Sequence, residues 1–264
     1  MTTPKYADDS GDSGRFYNSL PGFEMQQFGS VTSIINTLSK PAIAPWSAKL
    51  AAQRAVEQEE EWHAIQVEEG EEAAKKWIAA AAREYTERAS NLGSAVHLAC
   101  EWGGEPPLEK VLPIIRKMHG DEEKDTALVG QHLHGYMDFI EEHVEEMVER
   151  ERTVFNVTDG YAGTLDMIVR LTDGRLMVGD IKTGNRIYPE VALQLAAYAR
   201  AEYMVKGDAS VKFPHGIDGA FVLQLRPRSW KYQEVAIDRP VYEAFLAARE
   251  LWEWKQTGSK GVLL

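Results

Sequence analysis

Two aspartates and a lysine fall close together in the stretch GTLDMIVRLTDGRLMVGDIKTG, which runs from Gly163 to Gly184. Asp166 lies in one apolar, strand-like segment, and Asp180 and Lys182 lie in the next, with TDG between them. Paired carboxylates suit a divalent cation, and a neighbouring ammonium group can orient water or stabilise negative charge on a phosphate. These residue types therefore suit metal-assisted hydrolysis of a phosphodiester.

The register of this predicted hairpin decides whether the two acids meet. A three-residue TDG loop, with Gly174 in the left-handed conformation, pairs Leu171 with Arg175 and sets Asp166 directly opposite Asp180. The other face then carries only apolar residues and glycine, namely Leu165, Met167, Val169, Met177, Gly179 and Ile181. A two-residue DG turn is the rival register, and it would put the aspartates on opposite faces of the hairpin.

Opposed carboxylates repel one another, because their Cβ atoms lie about 5 Å apart in a strand pair. A cation held by oxygen ligands removes that repulsion, and Mg²⁺ or Mn²⁺ fits better than zinc. Lys182 follows Asp180 by two residues and so shares its face of the strand.

The single cysteine, Cys100, excludes a disulfide framework, a thiolate zinc site and a four-cysteine iron–sulfur cluster. No P-loop motif occurs, so we expect no ATP requirement.

The elements that must position these residues follow a simple order along the chain. Residues 1–28 are rich in small and polar residues, which predicts a flexible tail. Residues 29–147 show helical spacing and are expected to form one wall of a cleft. Residues 148–264 show three strands, a helix over 188–206, two strands and a closing helix. This order predicts a single α/β domain with a mixed central sheet flanked by helices.

Charge is distributed unevenly along the 264 residues, whose net charge is −12. Residues 1–150 hold 27 acidic and 14 basic residues, whereas residues 151–264 hold 14 acidic and 15 basic residues. A surface that faces nucleic acid is therefore compatible with the C-terminal part. Because the sequence shows neither a signal peptide nor an apolar run of membrane length, we expect a cytoplasmic protein with no membrane partner.

Four short motifs occur in order: GSAVH in a helix, GTLDMI in a strand, GDIKTG in the next strand and QLAAY in the following helix. Together they resemble the RecB-like branch of the PD-(D/E)XK nuclease superfamily. Within that branch the chain is most similar to phage-encoded exonucleases, the relatives of lambda exonuclease and of the CRISPR-associated RecB-like nucleases. The resemblance implies a restriction-endonuclease-like core and a metal-dependent deoxyribonuclease.

The resemblance assigns roles to individual residues. Asp166 and Asp180 match the metal-binding acids, Lys182 matches the catalytic lysine, and His97 matches a histidine that is a further metal ligand. Ile181 would offer its main-chain carbonyl to the metal. The second acid is Asp rather than the Glu of lambda exonuclease, and the cluster-binding cysteines of the CRISPR-associated relatives are absent.

Residues outside the metal set have weaker assignments. Gln194 and Tyr198 match the glutamine and tyrosine of the helix after the lysine strand, and they share a helix face because they are four residues apart. Candidate DNA contacts are Ser33, Arg186, Arg226 and Arg228. Each has a structural alternative: His97 and Tyr198 as core residues, the arginines as solvated charges, and the Ser33 hydroxyl as a turn or cap group.

The sequence leaves open the roles of two acidic residues near the motifs, Glu101 and Glu151. Glu101 is one turn beyond His97 and could orient it or bind a second ion, but a solvated helix acid is equally compatible. Glu151 begins a strand just upstream of the site, where a surface charge is equally compatible.

The expected activity is Mg²⁺- or Mn²⁺-dependent exonuclease digestion of DNA from duplex ends. The partners implied are duplex DNA ends, a single-strand annealing protein or recombinase, and further copies of the chain. A structure-specific or nicking endonuclease and a catalytically silent DNA-end-binding protein are the alternatives.

Overall fold

A computed structural model of the chain describes residues 6–9, 14–23, 27–104, 106–258 and 262. Within these ranges a mixed sheet of ten strands lies between two layers of helices. The strands are β1 (Ala7–Asp8), β2 (Phe16–Tyr17), β3 (Phe28–Ser30), β4 (Val144–Asn156), β5 (Tyr161–Leu171), β6 (Leu176–Lys182), β7 (Tyr203–Lys206), β8 (Ala209–Lys212), β9 (Gly219–Arg226) and β10 (Ser229–Val235).

The helices are divided between the N-terminal part of the chain and two later positions. They are α1 (Val31–Ile35), α2 (Ile43–Glu57), α3 (Glu59–Glu69), α4 (Glu71–Ala79), α5 (Ala81–Glu101), α6 (Leu108–Arg116), α7 (Glu122–His143), α8 (Val191–Tyr198) and α9 (Arg239–Glu253), followed by a π-helical turn, Trp254–Gly258. The segment predicted to be helical, residues 29–147, thus contains α1 to α7, and β4 begins within its last residues.

The central strands run in the order β10–β9–β6–β5–β4. The pairs β4–β5, β5–β6 and β9–β10 are antiparallel, and β6 runs parallel to β9. The hairpin β7–β8 continues the sheet beyond β4, while β3 lies parallel to the start of β5. The expectation of a mixed central sheet flanked by helices is confirmed. Parallel pairing of β6 and β9 brings the C-terminal ends of both strands to the same edge of the sheet.

Each face of the sheet is covered by its own apolar cluster. Helices α1, α8 and α9 pack on one face, around Ile168, Val178 and Val222. Helices α5, α6 and α7 pack on the other face, around Met167, Met177 and further apolar side chains of β9. Because both faces of β5, β6 and β9 are buried, these three strands are apolar almost throughout. The polar residues that do occur in them are therefore the exceptions to explain.

The β5–β6 hairpin has the register that the three-residue loop predicts. Met167 pairs with Gly179, Val169 pairs with Met177, and the Leu171 N–H donates to the Arg175 carbonyl at 2.9 Å. Gly174 has φ of +89°, the left-handed conformation such a loop needs. The alternative two-residue turn is therefore excluded.

The predicted grouping of the apolar hairpin face is wrong at one residue. Leu165 was expected to lie with Met167 and Ile181, yet it packs in the cluster on the α8 face. Regular pairing of β5 with β6 extends only as far as Met167 and Gly179. Beyond that point β5 and β6 no longer pair with each other, although β4 still pairs with β5 and β9 with β6, and Leu165 no longer shares a face with Met167.

Two further predictions need correction. The helix expected over 188–206 ends as α8 at Tyr198, and Tyr203–Lys206 forms β7 instead. The flexible tail predicted for residues 1–28 is wrong for its described part, which contributes β1, β2 and the first residue of β3. Tyr17, Leu20 and Phe28 are buried there. Residues 1–5, 10–13 and 24–26 of that predicted tail lie outside the described residues.

Burial of aromatic rings explains the ordered N-terminal segment. Phe28 is 2% exposed and its ring centroid lies 5.7 Å from that of Phe155 in β4. Phe23 packs edge-on against the same ring at 5.1 Å. Such aromatic pairs add to the free energy gained by burying apolar area.

In the described ranges, none of the helices combines the length and apolar character that a bilayer crossing requires.

Truncation of Phe28 tests whether the N-terminal segment belongs to the folded core. We expect Phe28→Ala to lower the free energy of unfolding by about 3–5 kcal/mol, because it removes a buried aromatic side chain and leaves a cavity. Urea unfolding followed by circular dichroism measures the change. Tyr188→Ala is the matched control, since Tyr188 is 62% exposed and should lose little stability. Equal stability of Phe28→Ala and wild type would show that the segment is not part of the core.

Candidate metal centre

The candidate site lies where β5 and β6 separate. The last regular pair is Met167 with Gly179, and Asp166 and Asp180 are the next residues of the two strands. Asp166 Oδ2 accepts the main-chain N–H of Ile181 at 2.6 Å. A carboxylate thus takes the donor that a main-chain carbonyl would take in a regular ladder. This bond replaces a ladder bond between β5 and β6. The two strands separate here, and Asp166 and Asp180 lie near each other at the point of separation.

Asp180 is held by two donors from its own face of the sheet. Lys182 Nζ lies 2.6 Å from Asp180 Oδ2 and donates to Oδ1 at 2.8 Å. Gln194 in α8 donates from Nε2 to the same Oδ1 at 3.1 Å and lies 3.5 Å from the hydroxyl of Tyr198. The Asp180 side chain is 3% exposed, whereas that of Lys182 is 38% exposed. The lysine is therefore the member of this pair that an incoming molecule can reach.

His97 approaches the acids from the opposite side, on α5. Its Nδ1 lies 3.5 Å from Glu151 Oε1 and 3.5 Å from Asp166 Oδ1. Its Nε2 lies 3.0 Å from the carbonyl oxygen of Ile181, so Nε2–H donates to that carbonyl. The two groups that the resemblance assigns to a metal, His97 and the Ile181 carbonyl, are thus hydrogen-bonded to each other.

Glu151 completes the group from β4, and the sequence left its role open. Its neighbours Arg150 and Arg152 pair with Met167 and Leu165, which places Glu151 across from Asp166. Ligand atoms of His97, Glu151 and Asp166 all lie within 4.8 Å of one another. Glu151 also has φ of +44°, a left-handed conformation that is unfavourable for glutamate and that clusters at functional sites.

Burial and mutual charge shift the protonation of this group strongly. For His97, burial lowers the pKa, but the charges and hydrogen bonds of Asp166 and Glu151 outweigh it and hold the pKa well above its ordinary value. For Glu151, burial and the charges of Asp166 and Glu101 raise the pKa to about 7 despite the opposing effect of His97. Glu101 therefore acts on the site through its charge.

The two aspartates respond in opposite directions. Burial raises the pKa of Asp166, but His97, Lys182 and the Ile181 N–H outweigh burial, and the net pKa lies below its ordinary value. For Asp180, burial and the charge of Asp166 prevail over Lys182 and raise the pKa. The pKa of Lys182 is raised, because its carboxylate neighbours outweigh the lowering by burial. An acid that resists ionisation beside another acid is a site that a divalent cation stabilises.

Two motif glycines allow the helices to reach the site. A Cβ at Gly163 would lie 2.6 Å from the Tyr198 ring, so only glycine lets that ring pack on β5. A Cβ at Gly93 in α5 would lie 3.3 Å from Thr183 Oγ1. Burial keeps the pKa of Tyr198 well above its ordinary value, so its hydroxyl stays protonated, and it accepts a hydrogen bond from Gln194 Nε2 at 3.5 Å. The structure thus gives Tyr198 both a core role and a place beside Gln194.

The candidate DNA contacts differ in how far their side chains are engaged. Ser33 Oγ accepts the main-chain N–H of Arg15 at 2.9 Å and so ties down the N-terminal segment. Arg226 binds Asn185, whereas Arg186 and Arg228 are exposed. Arg226 and Arg228 lie at or just beyond the end of β9, at the sheet edge where Lys182 lies.

One residue near the site was not predicted from the sequence. Gln224 in β9 is buried, pairs with Lys182 across the parallel strands, and donates from Nε2 to the Gly184 carbonyl at 2.6 Å. A polar residue within the otherwise apolar run AFVLQL was the available cue. Such a residue buried in a central strand requires a partner, and here the partner is the segment after Lys182.

Replacement of Glu151 tests the electrostatics of the group. A glutamate whose folded pKa is about 7 favours folding when protonated, and this contribution is lost as pH rises from its unfolded value to about 7. With EDTA at pH 8, Glu151→Gln should therefore raise the free energy of unfolding by about 1–3 kcal/mol. The gain should vanish near pH 4. Thermal unfolding across this range measures it, and Mg²⁺ or Mn²⁺ should stabilise wild type more than the variant. A variant less stable than wild type at pH 8 would contradict the assignment.

No protein-family model matches this chain, and no curated protein matches it. Among solved structures, the chain is similar to one described as the crystal structure of SSO0001, at 15% sequence identity and a TM-score of 0.30. The alignment covers 66% of this chain and 84% of that chain. A likeness at this TM-score indicates nothing about function.

Proposed function

We propose that the protein is a Mg²⁺- or Mn²⁺-dependent deoxyribonuclease that digests DNA from duplex ends. The observation that carries the proposal is the convergence of Asp166, Asp180, Lys182 and His97 where β5 and β6 separate. They come from three elements, since His97 lies on α5, Asp166 on β5, and Asp180 with Lys182 on β6. Their types are those that hydrolysis of a phosphodiester requires.

The donor set fits a hard divalent cation. Carboxylate oxygens of Asp166, Asp180 and Glu151 would hold it, with His97 and the Ile181 carbonyl as further ligands. Loss of the His97 proton on binding would make metal affinity rise with pH, since the pKa of His97 lies well above its ordinary value. A bound cation at this position supplies a polarised water and compensates negative charge that develops on phosphate.

The chain's own residues then have separate roles. Lys182 keeps its ammonium charged, because nearby acids raise its pKa, and it can hydrogen-bond water or a phosphate oxygen from its exposed side. Gln194 fixes the orientation of Asp180 through Oδ1, and Tyr198 supports Gln194 from one turn later on α8. Products with a 5′-phosphate and a 3′-hydroxyl are what the resemblance implies.

The preference for duplex ends comes from the resemblance to phage exonucleases. Digestion from ends would leave single-stranded tails for an annealing protein or recombinase, and further copies of the chain could assemble around the duplex. The net charge of −12 restricts DNA to a limited part of the surface. Arg186 and Arg228 provide cations near the end of β6 where that contact would occur.

A cleavage assay with linear and closed-circular DNA tests the proposal. End-labelled linear duplex should be degraded with Mg²⁺ or Mn²⁺ and preserved with EDTA, while closed circles should survive. Lys182→Ala should reduce the rate about 10²–10³-fold, as expected when one charge-stabilising group is removed. Lys117→Ala is the matched control, because it removes an exposed lysine from the end of α6.

Other outcomes would favour the alternatives. Cutting of closed circles would identify an endonuclease with the same site. Retained DNA binding without cleavage under any metal condition would indicate a silent end-binding protein. Equal rates for Lys182→Ala and wild type would remove the catalytic role of Lys182.

A further inference from the structure

Two polar side chains of β9 reach the segment that follows Lys182. Gln224 and Arg226 are two residues apart on the strand and therefore lie on the same face. Gln224 is the direct neighbour of Lys182 across the parallel β6–β9 pair. Both side chains thus begin at the sheet edge where the candidate site lies.

Gln224 makes a buried contact with the main chain of this segment. Its Nε2 donates to the Gly184 carbonyl at 2.6 Å, and the residue is 6% exposed. A buried amide gains little from solvent, so this hydrogen bond is costly to break. The bond fixes the chain two residues beyond Lys182.

Arg226 makes a two-point contact with the next residue. Its Nη1 donates to Asn185 Oδ1 at 2.6 Å, and its Nη2 donates to the Asn185 carbonyl at 2.8 Å. The planar guanidinium fork matches two acceptors at once, which an ammonium group cannot do. Arg226 is thus committed to the protein itself and is not free for phosphate.

Residues 183–186, which Gln224 and Arg226 hold in place, form a braced segment that connects two parts of the candidate site. It leaves Lys182 at the end of β6 and leads to α8, which carries Gln194. Thr183 lies close to α5, since a Cβ at Gly93 would come within 3.3 Å of its Oγ1, and α5 is the helix that carries His97. Movement of this segment would therefore disturb groups on three elements, and small displacements of reacting groups cost rate steeply.

Arg186 is an exposed cation at the end of the braced segment. Its side chain is exposed, and across the ranges that the structure describes its guanidinium forms no ion pair. The residue directly follows Asn185, which Arg226 holds. Its position is therefore set by the contacts of Gln224 and Arg226.

We infer that Gln224 and Arg226 are positioning residues that fix segment 183–186, and that Arg186 on this segment contacts a phosphate of the bound DNA strand. The inference rests on the proposed nuclease function for its DNA part. The brace itself is independent of that function, since it consists of contacts within the protein. Arg226, which the sequence suggested as a DNA contact, would then hold segment 183–186 in place instead.

Hydrogen exchange of the free protein tests the brace. Asn185→Ala, Arg226→Lys and Gln224→Leu should each increase amide exchange in segment 183–187 at least fivefold. Because the Asn185 side chain acts through its bond from Arg226, the double variant Asn185→Ala/Arg226→Lys should exchange no faster than the faster single variant. Arg228→Ala is the matched control and should leave exchange in this segment unchanged. Unchanged exchange in all three single variants would overturn the brace.

Cleavage kinetics at several salt concentrations test the DNA part. Asn185→Ala and Arg226→Lys should lower kcat about tenfold and leave the salt dependence of DNA binding unchanged. Arg186→Ala should mainly weaken binding and reduce the slope of log K against log salt by about one, the signature of one lost phosphate contact. If Arg226 were itself the phosphate ligand, Asn185→Ala would keep full kcat, and this result would overturn the inference.

The two hypotheses can fail separately. Faster exchange in the variants of a protein that neither cleaves nor binds DNA would retain the brace and reject both the proposed function and the role of Arg186. Wild-type cleavage with unchanged exchange in the variants would retain the nuclease and reject the brace.

Discussion

The close approach of two carboxylates, the buried Asp180 and the partly buried Asp166, is the constraint to which the rest of the site responds. Neighbouring acids in a strand pair repel, and burial makes their ionisation still less favourable. The chain offsets this with donors of its own: the Ile181 N–H for Asp166, and Lys182 with Gln194 for Asp180. The compensation is incomplete, because the pKa of Asp180 remains above its ordinary value. A divalent cation is the group that would complete it.

Opening the sheet at this point requires support from both helical layers. On one face, α8 supplies Gln194, and Gly163 lets the ring of Tyr198 pack directly on β5. On the other face, α5 supplies His97, which replaces missing strand contacts by bonding to the Ile181 carbonyl. Glycine therefore recurs in these motifs for packing reasons, and the chemistry follows from the close approach that the glycines permit.

The sequence predicted the hairpin register and its acids well because two independent signals agreed. Turn chemistry at Gly174 and alternation of apolar residues specify the same pairing, so little else was needed. The N-terminal segment gave no such agreement, since β1 and β2 are two residues each and cannot show a period. Its order comes from the burial of Tyr17 and Phe28 against Phe155, a contact between distant segments. Glu151 could not be assigned from sequence either, because its position depends on the bulged pairing of β4 with β5.

Acids that are unfavourable in the free protein lower its stability and would strengthen the binding of a ligand that neutralises them. Without a cation, Glu151 with a pKa of about 7 and Asp180 with a raised pKa both resist the charged form, and Glu151 also has a left-handed backbone. These costs fall on the free protein and are relieved when a ligand neutralises the group, so they strengthen binding by the same free energy. If the proposed function holds, replacing the acids with amides would stabilise the fold and abolish cation binding, the usual relation between stability and function at active sites. Under the proposed function, the strain at Glu151 and the repulsion between the aspartates would both be relieved by one event, the binding of a cation beside Lys182.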